Sequence, residues 1–132
     1  MILDTHAVLW LFLGDRKLGD SARRYANAAL NAAALYVSTV SFFEIATLVR
    51  RDRLDIVVPA RTWRANLLDE GLIELDVTAD IAIAAGELDD LHGDPMDRFI
   101  VATAIEYGLT LVTADRRILD WDGDLSRHDA RT

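Results

Sequence analysis

The stretch DPMDRFIVATAIEYGLTLVTAD, residues 94–115, holds a helix start, a helix stop, a buried strand and an acid just beyond it. Asp94 can cap a helix, and Pro95 suits the first helical position because its missing N–H would lack a partner there anyway. Asp97 then falls in the first turn. Ile100, Val101, Ala104 and Ile105 recur at the spacing of a buried helical stripe. Gly108 ends the helix, since glycine tolerates the left-handed backbone of a helix C-terminus. Leu109–Val112 is short, apolar and bounded by breakers, as a strand covered on both faces would be. Thr113 and Asp115 follow as that strand gives way.

The same alternation runs through the rest of the chain. Ile2 and Leu3 open a strand that ends at Asp4, and the apolar run Ala7–Leu13 is too long and uniform for a surface strand, so it reads as a helix stopped by Gly14. Asp20 or Ser21 caps a second helix, ARRYANAALNAAA, rich in good helix formers. Leu35–Val37 is a strand. Ser38, Thr39 and Ser41 offer caps for FFEIATLVRR, a helix running to about Asp52. Leu54–Val58 is extended, and Pro59 precedes the helix ARTWRANLLDE, stopped by Gly71. Leu72–Leu75 is a third strand, and Thr78 caps DIAIAAGEL. After Asp115, RRILDW reads as a helical turn. The polar tail GDLSRHDART is expected to fray, with Leu125 the candidate anchor of a short edge strand. Hairpin signals of the Asn-Gly type are absent. Alternating strands and helices imply an α/β fold with a parallel sheet between helices.

With 132 residues, the simplest organisation is one domain over residues 1–132. Hydrophobic residues make up 52%, which rules against wholesale disorder. Cysteine is absent, which excludes disulfides and thiolate metal sites and fits a reducing cytoplasm. The opening MILDTHAVLW has no basic run before its apolar residues, unlike a signal peptide, and Ala7–Leu13 is far too short for a membrane span. The net charge of −8 is awkward for a nucleic-acid binder, because phosphate contacts need cations. An enzyme acting on nucleic acid can meet that need with bound metal and local arginines. Arg23–Arg24 reads as a solvated helix face.

Ligands in parallel α/β folds gather outside the carboxyl ends of the strands. Asp4 and Asp115 lie at such ends, and Asp97 joins them if the loop before its helix returns to that side. Taken singly, Asp4 and Asp115 read as helix caps, and Asp97 as a capping-box acid answering Asp94. Glu44 is different, because its helical neighbours Val40, Ser41, Thr47 and Leu48 are apolar or small. A carboxylate so close to a buried stripe is either in a buried ion pair with arginine or functional. Together, Asp4, Glu44, Asp97 and Asp115 suggest oxygen ligands for a hard cation such as Mg²⁺ or Mn²⁺. Such an ion binds phosphodiester oxygen and lowers the pKa of bound water. No Walker loop, dinucleotide fingerprint or G-x-S-x-G elbow is present. An unrelated α/β phosphohydrolase would want Asp-x-Asp at the first strand end, where position 6 is histidine.

Three blocks resemble the PIN-domain family, and within it the VapC toxins of bacterial toxin–antitoxin pairs. LDTHAVLW is similar to the family's strand-end Asp-Thr and apolar helix. VSTVSFFEIATLVRRDRL resembles its Ser-x-x-Glu-Ile-Ala helix. LHGDPMDRFIVATAIEYGLTLVTAD resembles His-Arg-Asp-Pro-Phe-Asp-Arg, an alanine-bearing helix and Leu-Val-Thr-x-Asp. Phe43, Met96, Gly93 and Asp52 stand where the family commonly has Trp, Phe, Arg and Gly. The resemblance implies a PIN-like three-layer sandwich and an acidic quartet of Asp4, Glu44, Asp97 and Asp115. Thr5, Thr113, Asp94, Arg98 and Arg116 would surround it. Arg98 would pair with an acid or steer phosphate, and Arg116 would contact RNA or stay solvated. It also implies an Mg²⁺- or Mn²⁺-dependent endoribonuclease, a homodimer, and a cognate antitoxin that blocks the site and alone contacts operator DNA. The competing reading is a non-catalytic PIN-fold module that binds an antitoxin. His92 is expected to make a structural hydrogen bond, while His6 and His128 have no assignable role. Trp10, Trp63 and Trp121 read as core or interface anchors, and the apolar early helices as core or as an antitoxin groove.

Overall fold

Two buried residues, Ile2–Leu3 (β1), form the centre of the sheet, and the computed structural model describes all of residues 1–132 around them. The order continues with α1 (Thr5–Phe12), α2 (Asp20–Asn31), β2 (Tyr36–Ser38), α3 (Thr39–Arg50), α4 (Ala60–Asp69) and β3 (Ile73–Leu75). It closes with α5 (Ala79–Glu87), α6 (Pro95–Glu106), β4 (Leu111–Thr113), α7 (Arg116–Leu119) and β5 (Arg127–Asp129). The strands lie in the order β3-β2-β1-β4-β5, and every pairing is parallel. The expected α/β sandwich is therefore what forms. No helix is long and apolar enough to cross a membrane.

Because strand side chains alternate between faces, β1 and β4 each feed two cores. Leu3 and Val112 join the cluster under α1, α2 and α4, with Val8, Trp10, Ala22, Trp63 and Leu67. Ile2 and Leu111 join Ile100, Val101, Ala104, Ile118 and Leu125 on the other face. Ala7–Trp10 are buried in the first core, whereas Leu11 and Phe12 are half-buried and Leu13 is exposed. Trp63 is also core, and Trp121 is held from outside by its indole N–H donating to Asp89 O at 2.8 Å.

Several boundaries differ from expectation for local reasons. The N-cap of α2 is Gly19, with no side-chain bond, rather than Asp20 or Ser21. Ser38 is the cap chosen for α3, its hydroxyl accepting from Val40 N–H. Just past that helix, Asp52 adopts a φ of 54°, the left-handed conformation for which glycine is the unstrained choice. The tail does not fray. Leu125 is buried, and β5 pairs along the free edge of β4 with Thr113 opposite Asp129. Arg127 secures the edge by donating to Ile118 O and Gly123 O.

The strand order reverses direction between β1 and β4, which leaves a crevice outside their carboxyl ends. Asp4 follows β1 directly, its N–H donating to Val112 O at 3.0 Å. Asp115 follows β4 by two residues. The topology thus brings the two ends of the sequence's most informative stretches side by side.

Candidate metal centre

Each acid reaches the crevice on a different element. Asp4 is the N-cap of α1, with one oxygen accepting from Ala7 N–H at 2.9 Å and the other from the Thr113 hydroxyl. Glu44 comes from the second turn of α3, where the Thr5 hydroxyl donates to it and also contacts the Ser41 hydroxyl at 3.0 Å. Asp97 sits in the first turn of α6 and pairs with His92 Nε2 at 2.7 Å rather than closing a capping box with Asp94. Asp115 caps α7 and takes two bonds from the Arg117 guanidinium, at 3.2 and 2.8 Å.

All four carboxylates line one cleft of about 290 Å³, together with Thr5, His6, Trp10, Asp94, Ala114, Arg117 and Arg131. Asp94 is at its rim as the α6 cap, accepting from Met96 N–H at 3.0 Å. Thr113 is fully buried behind Asp4, its hydroxyl donating to that carboxylate and accepting from Asp115 N–H at 3.1 Å. Three cap readings therefore hold, for Asp4, Asp94 and Asp115, without removing those residues from the cleft.

Arg98 falls elsewhere than expected, whereas Arg116 takes the solvated one of its two readings. Arg98 turns away from the acids and donates to the carbonyls of Ala85, Gly86, Leu88, Leu91 and His92, bracing the loop that carries His92. Arg116 is exposed and pairs with Asp120 and Asp129. Its neighbour Arg117 faces the cleft instead, 2.8 Å from Asp115 and 3.7 Å from Asp97. Arg131 enters from the tail. Neither could be told from other arginines by local sequence. His92 makes the structural bond expected of it, while its Nδ1 is buried without a partner.

The electrostatics are those of a cation site. Burial pushes the Asp4 carboxyl above the usual range, against the hydrogen bonds from Thr113 and Ala7, and Asp97 adds repulsion. Burial likewise raises Glu44 and Asp97, with neighbouring aspartates contributing. Asp115 goes the other way, held low chiefly by the hydrogen bond from Arg117. That guanidinium occupies, as a stand-in cation, the space between Asp115 and Asp97. Ligand atoms of His92, Asp97 and Asp115 lie within 4.8 Å of one another, close enough to share one ion. Clustered carboxylates that burial disfavours in ionised form, one already drawn to a cation, fit a hard divalent ion.

This arrangement has a pH signature. A carboxyl raised in the folded state adds stability that is complete below its unfolded value, near 4, and lost as pH rises through the raised value. Asp4, Glu44 and Asp97 are of that kind, whereas Asp115 adds stability above about 4 that disappears in acid. The metal-free protein is therefore expected to lose melting temperature as pH rises above about 4 and through the raised values of these carboxyls. Added Mg²⁺ or Mn²⁺ should abolish that loss. Thermal melts by circular dichroism, with EDTA and with metal, check it. An EDTA profile flat or rising across that interval would contradict the assignment of strained acids.

Comparison with known proteins gives consistent matches. The PIN-domain family model matches residues 1–123. The chain is 35% identical over 119 residues to Ribonuclease VapC22 of Mycobacterium tuberculosis, covering 89% of this chain and 88% of that protein. Among solved structures, a toxin–antitoxin complex from Klebsiella pneumoniae superposes with a TM-score of 0.61 at 21% identity, over 98% of this chain and 96% of that one. VapBC2 from Rickettsia felis, bound to a fragment of promoter DNA, gives a TM-score of 0.66 at 20% identity, over 96% of both chains. At those identities, the structural matches speak to the fold.

Proposed function

The chain belongs to the PIN-domain family, and from that premise we propose that it is a divalent-metal-dependent endoribonuclease, the toxin of a toxin–antitoxin pair. The observation that carries the reading is the gathering of Asp4, Glu44, Asp97 and Asp115 from four separate elements into one cleft. Similarity to a ribonuclease along nearly the whole chain supports it.

Asp4, Glu44, Asp97 and Asp115 would hold Mg²⁺ or Mn²⁺. When bound, such an ion acidifies a water to serve as nucleophile and offsets the charge that develops on the phosphate. The protein's part is orientation. Thr113 and the Ala7 N–H fix both oxygens of Asp4, Thr5 fixes Glu44, and His92 fixes Asp97. These partners set the direction of each carboxylate, as outer groups around metal ligands commonly do. Arg117 holds Asp115 and must yield that oxygen, or share it, when the ion enters.

The same reading carries a homodimer and a protein antitoxin that covers the cleft, with operator DNA reached only through that partner. The test is cleavage of RNA by the purified protein with Mg²⁺ or Mn²⁺, stopped by a chelator. A folded protein that captures an antitoxin yet cuts no RNA with either metal would leave the non-catalytic module in its place.

A further inference from the structure

A polyanion entering this cleft meets five acids, Asp4, Glu44, Asp94, Asp97 and Asp115, on a chain whose net charge is −8. One divalent ion offsets only part of that. Among the arginines of the cleft wall, Arg117 is already committed to Asp115 in a two-point ion pair. Arg131 has no carboxylate partner. Its side chain is exposed, one amino group donates to Ala114 O at 2.7 Å, and the guanidinium lies over the Trp10 ring, 5.5 Å from its centroid. Trp10 is itself packed into the core. The guanidinium is thus held over a fixed ring beside the cleft, with donors left over.

The backbone that carries it is held as firmly. Ala130 N–H donates to Thr113 O at 2.8 Å, Gly19 N–H to Ala130 O at 2.8 Å, and Ser21 N–H to Thr132 O at 3.0 Å. Asp129 accepts from Arg131 N–H at 2.9 Å. Gly19 is needed for this seat, because a Cβ there would lie 2.3–2.5 Å from the backbone of Arg131 and Thr132.

We propose that Arg131 is a substrate-binding residue, gripping a phosphate of the RNA backbone next to the one being cut. The proposal rests on the ribonuclease reading and extends it to how an acidic enzyme holds its substrate. A planar guanidinium held at a fixed place suits a phosphate better than a flexible ammonium would.

The test uses a fluorescein-labelled 2′-O-methyl oligonucleotide of mixed sequence, shown by gel to stay whole, titrated by anisotropy in Mg²⁺ over a range of salt. Arg131→Ala should bind about 10-fold more weakly, and its salt dependence should flatten by about 0.7 in log–log slope, the loss of one single-strand phosphate contact. Arg131→Lys should keep the slope but recover only part of the affinity. Gly19→Ala, which unseats the backbone without touching the cleft, should reproduce the alanine loss. On cleavable RNA, the Arg131→Ala defect should fall on KM rather than kcat. Unchanged affinity and slope in Arg131→Ala, or a defect confined to kcat, overturns the proposal while leaving the nuclease standing. A folded wild-type protein that neither binds this probe nor cuts RNA overturns the nuclease and the grip together.

Discussion

Asp97→Asn is expected to lower metal-dependent RNA cleavage by roughly 10³-fold, beyond the 10–100-fold typical of losing a group that merely orients a ligand. The fold should survive. Asp97 closes no capping box, its one side-chain hydrogen bond is to His92, and burial already disfavours its charge. Asparagine keeps the shape and removes a repulsion with Asp94 and Asp115, so metal-free stability should hold or rise slightly. Asp4→Asn is the matching variant on the opposite wall. Alanine at position 4 is a poorer choice, because it also removes the α1 cap at about 1 kcal/mol. Initial cleavage rates with Mg²⁺ and Mn²⁺, alongside far-UV circular dichroism, decide the matter. Rates within 10-fold of wild type in both variants, with contaminating nuclease excluded, would remove these acids from the chemistry.

Arg98→Ala should damage the fold more than any other single arginine change. Five carbonyls, from the end of α5 and the following loop, converge on its guanidinium. Bonds to a charged donor are worth about 1.5–3 kcal/mol each when made, less where water can replace them. A loss of roughly 2–3 kcal/mol is the expected sum for this half-buried group. On a chain of this size that is about 10 °C in melting temperature. Because the loop also carries His92, cleavage should fall as well, but lowering the assay temperature should restore part of it. Phosphate steering would predict the opposite pattern: an unchanged melt with weakened RNA binding. Thermal melts of Arg98→Ala and Arg98→Lys distinguish the two.

Local patterns carried much of this architecture. Asp94, Pro95 and Gly108 mark both ends of α6 by capping chemistry alone, and the apolar run after them could only be a buried strand. Glu44 stood out because a carboxylate among Val40, Ser41 and Leu48 needs a reason. What sequence could not reveal is set by distant partners. Arg-His-Asp, residues 127–129, has no strand character of its own; the free edge of β4 makes it one. Arg98 and Arg131 find carbonyls that are far off in space-blind order, and Arg116 and Arg117 differ only in which side of a four-residue helix they occupy. Asp97 had a sound local reading as a capping acid, and His92 displaced it.

Both α1 and α6 begin at the cleft, each with an aspartate cap, Asp4 and Asp94. The positive ends of two helices therefore face a cluster of negative groups and soften its mutual repulsion. The cavity should accordingly be preformed rather than assembled by its ion. Entry of the cation then waits on no more than a shift of the Arg117 side chain, and its speed should follow how readily the ion sheds water, faster for Mn²⁺ than for Mg²⁺. Amide exchange in the first turns of α1 and α6 should change little when the ion arrives.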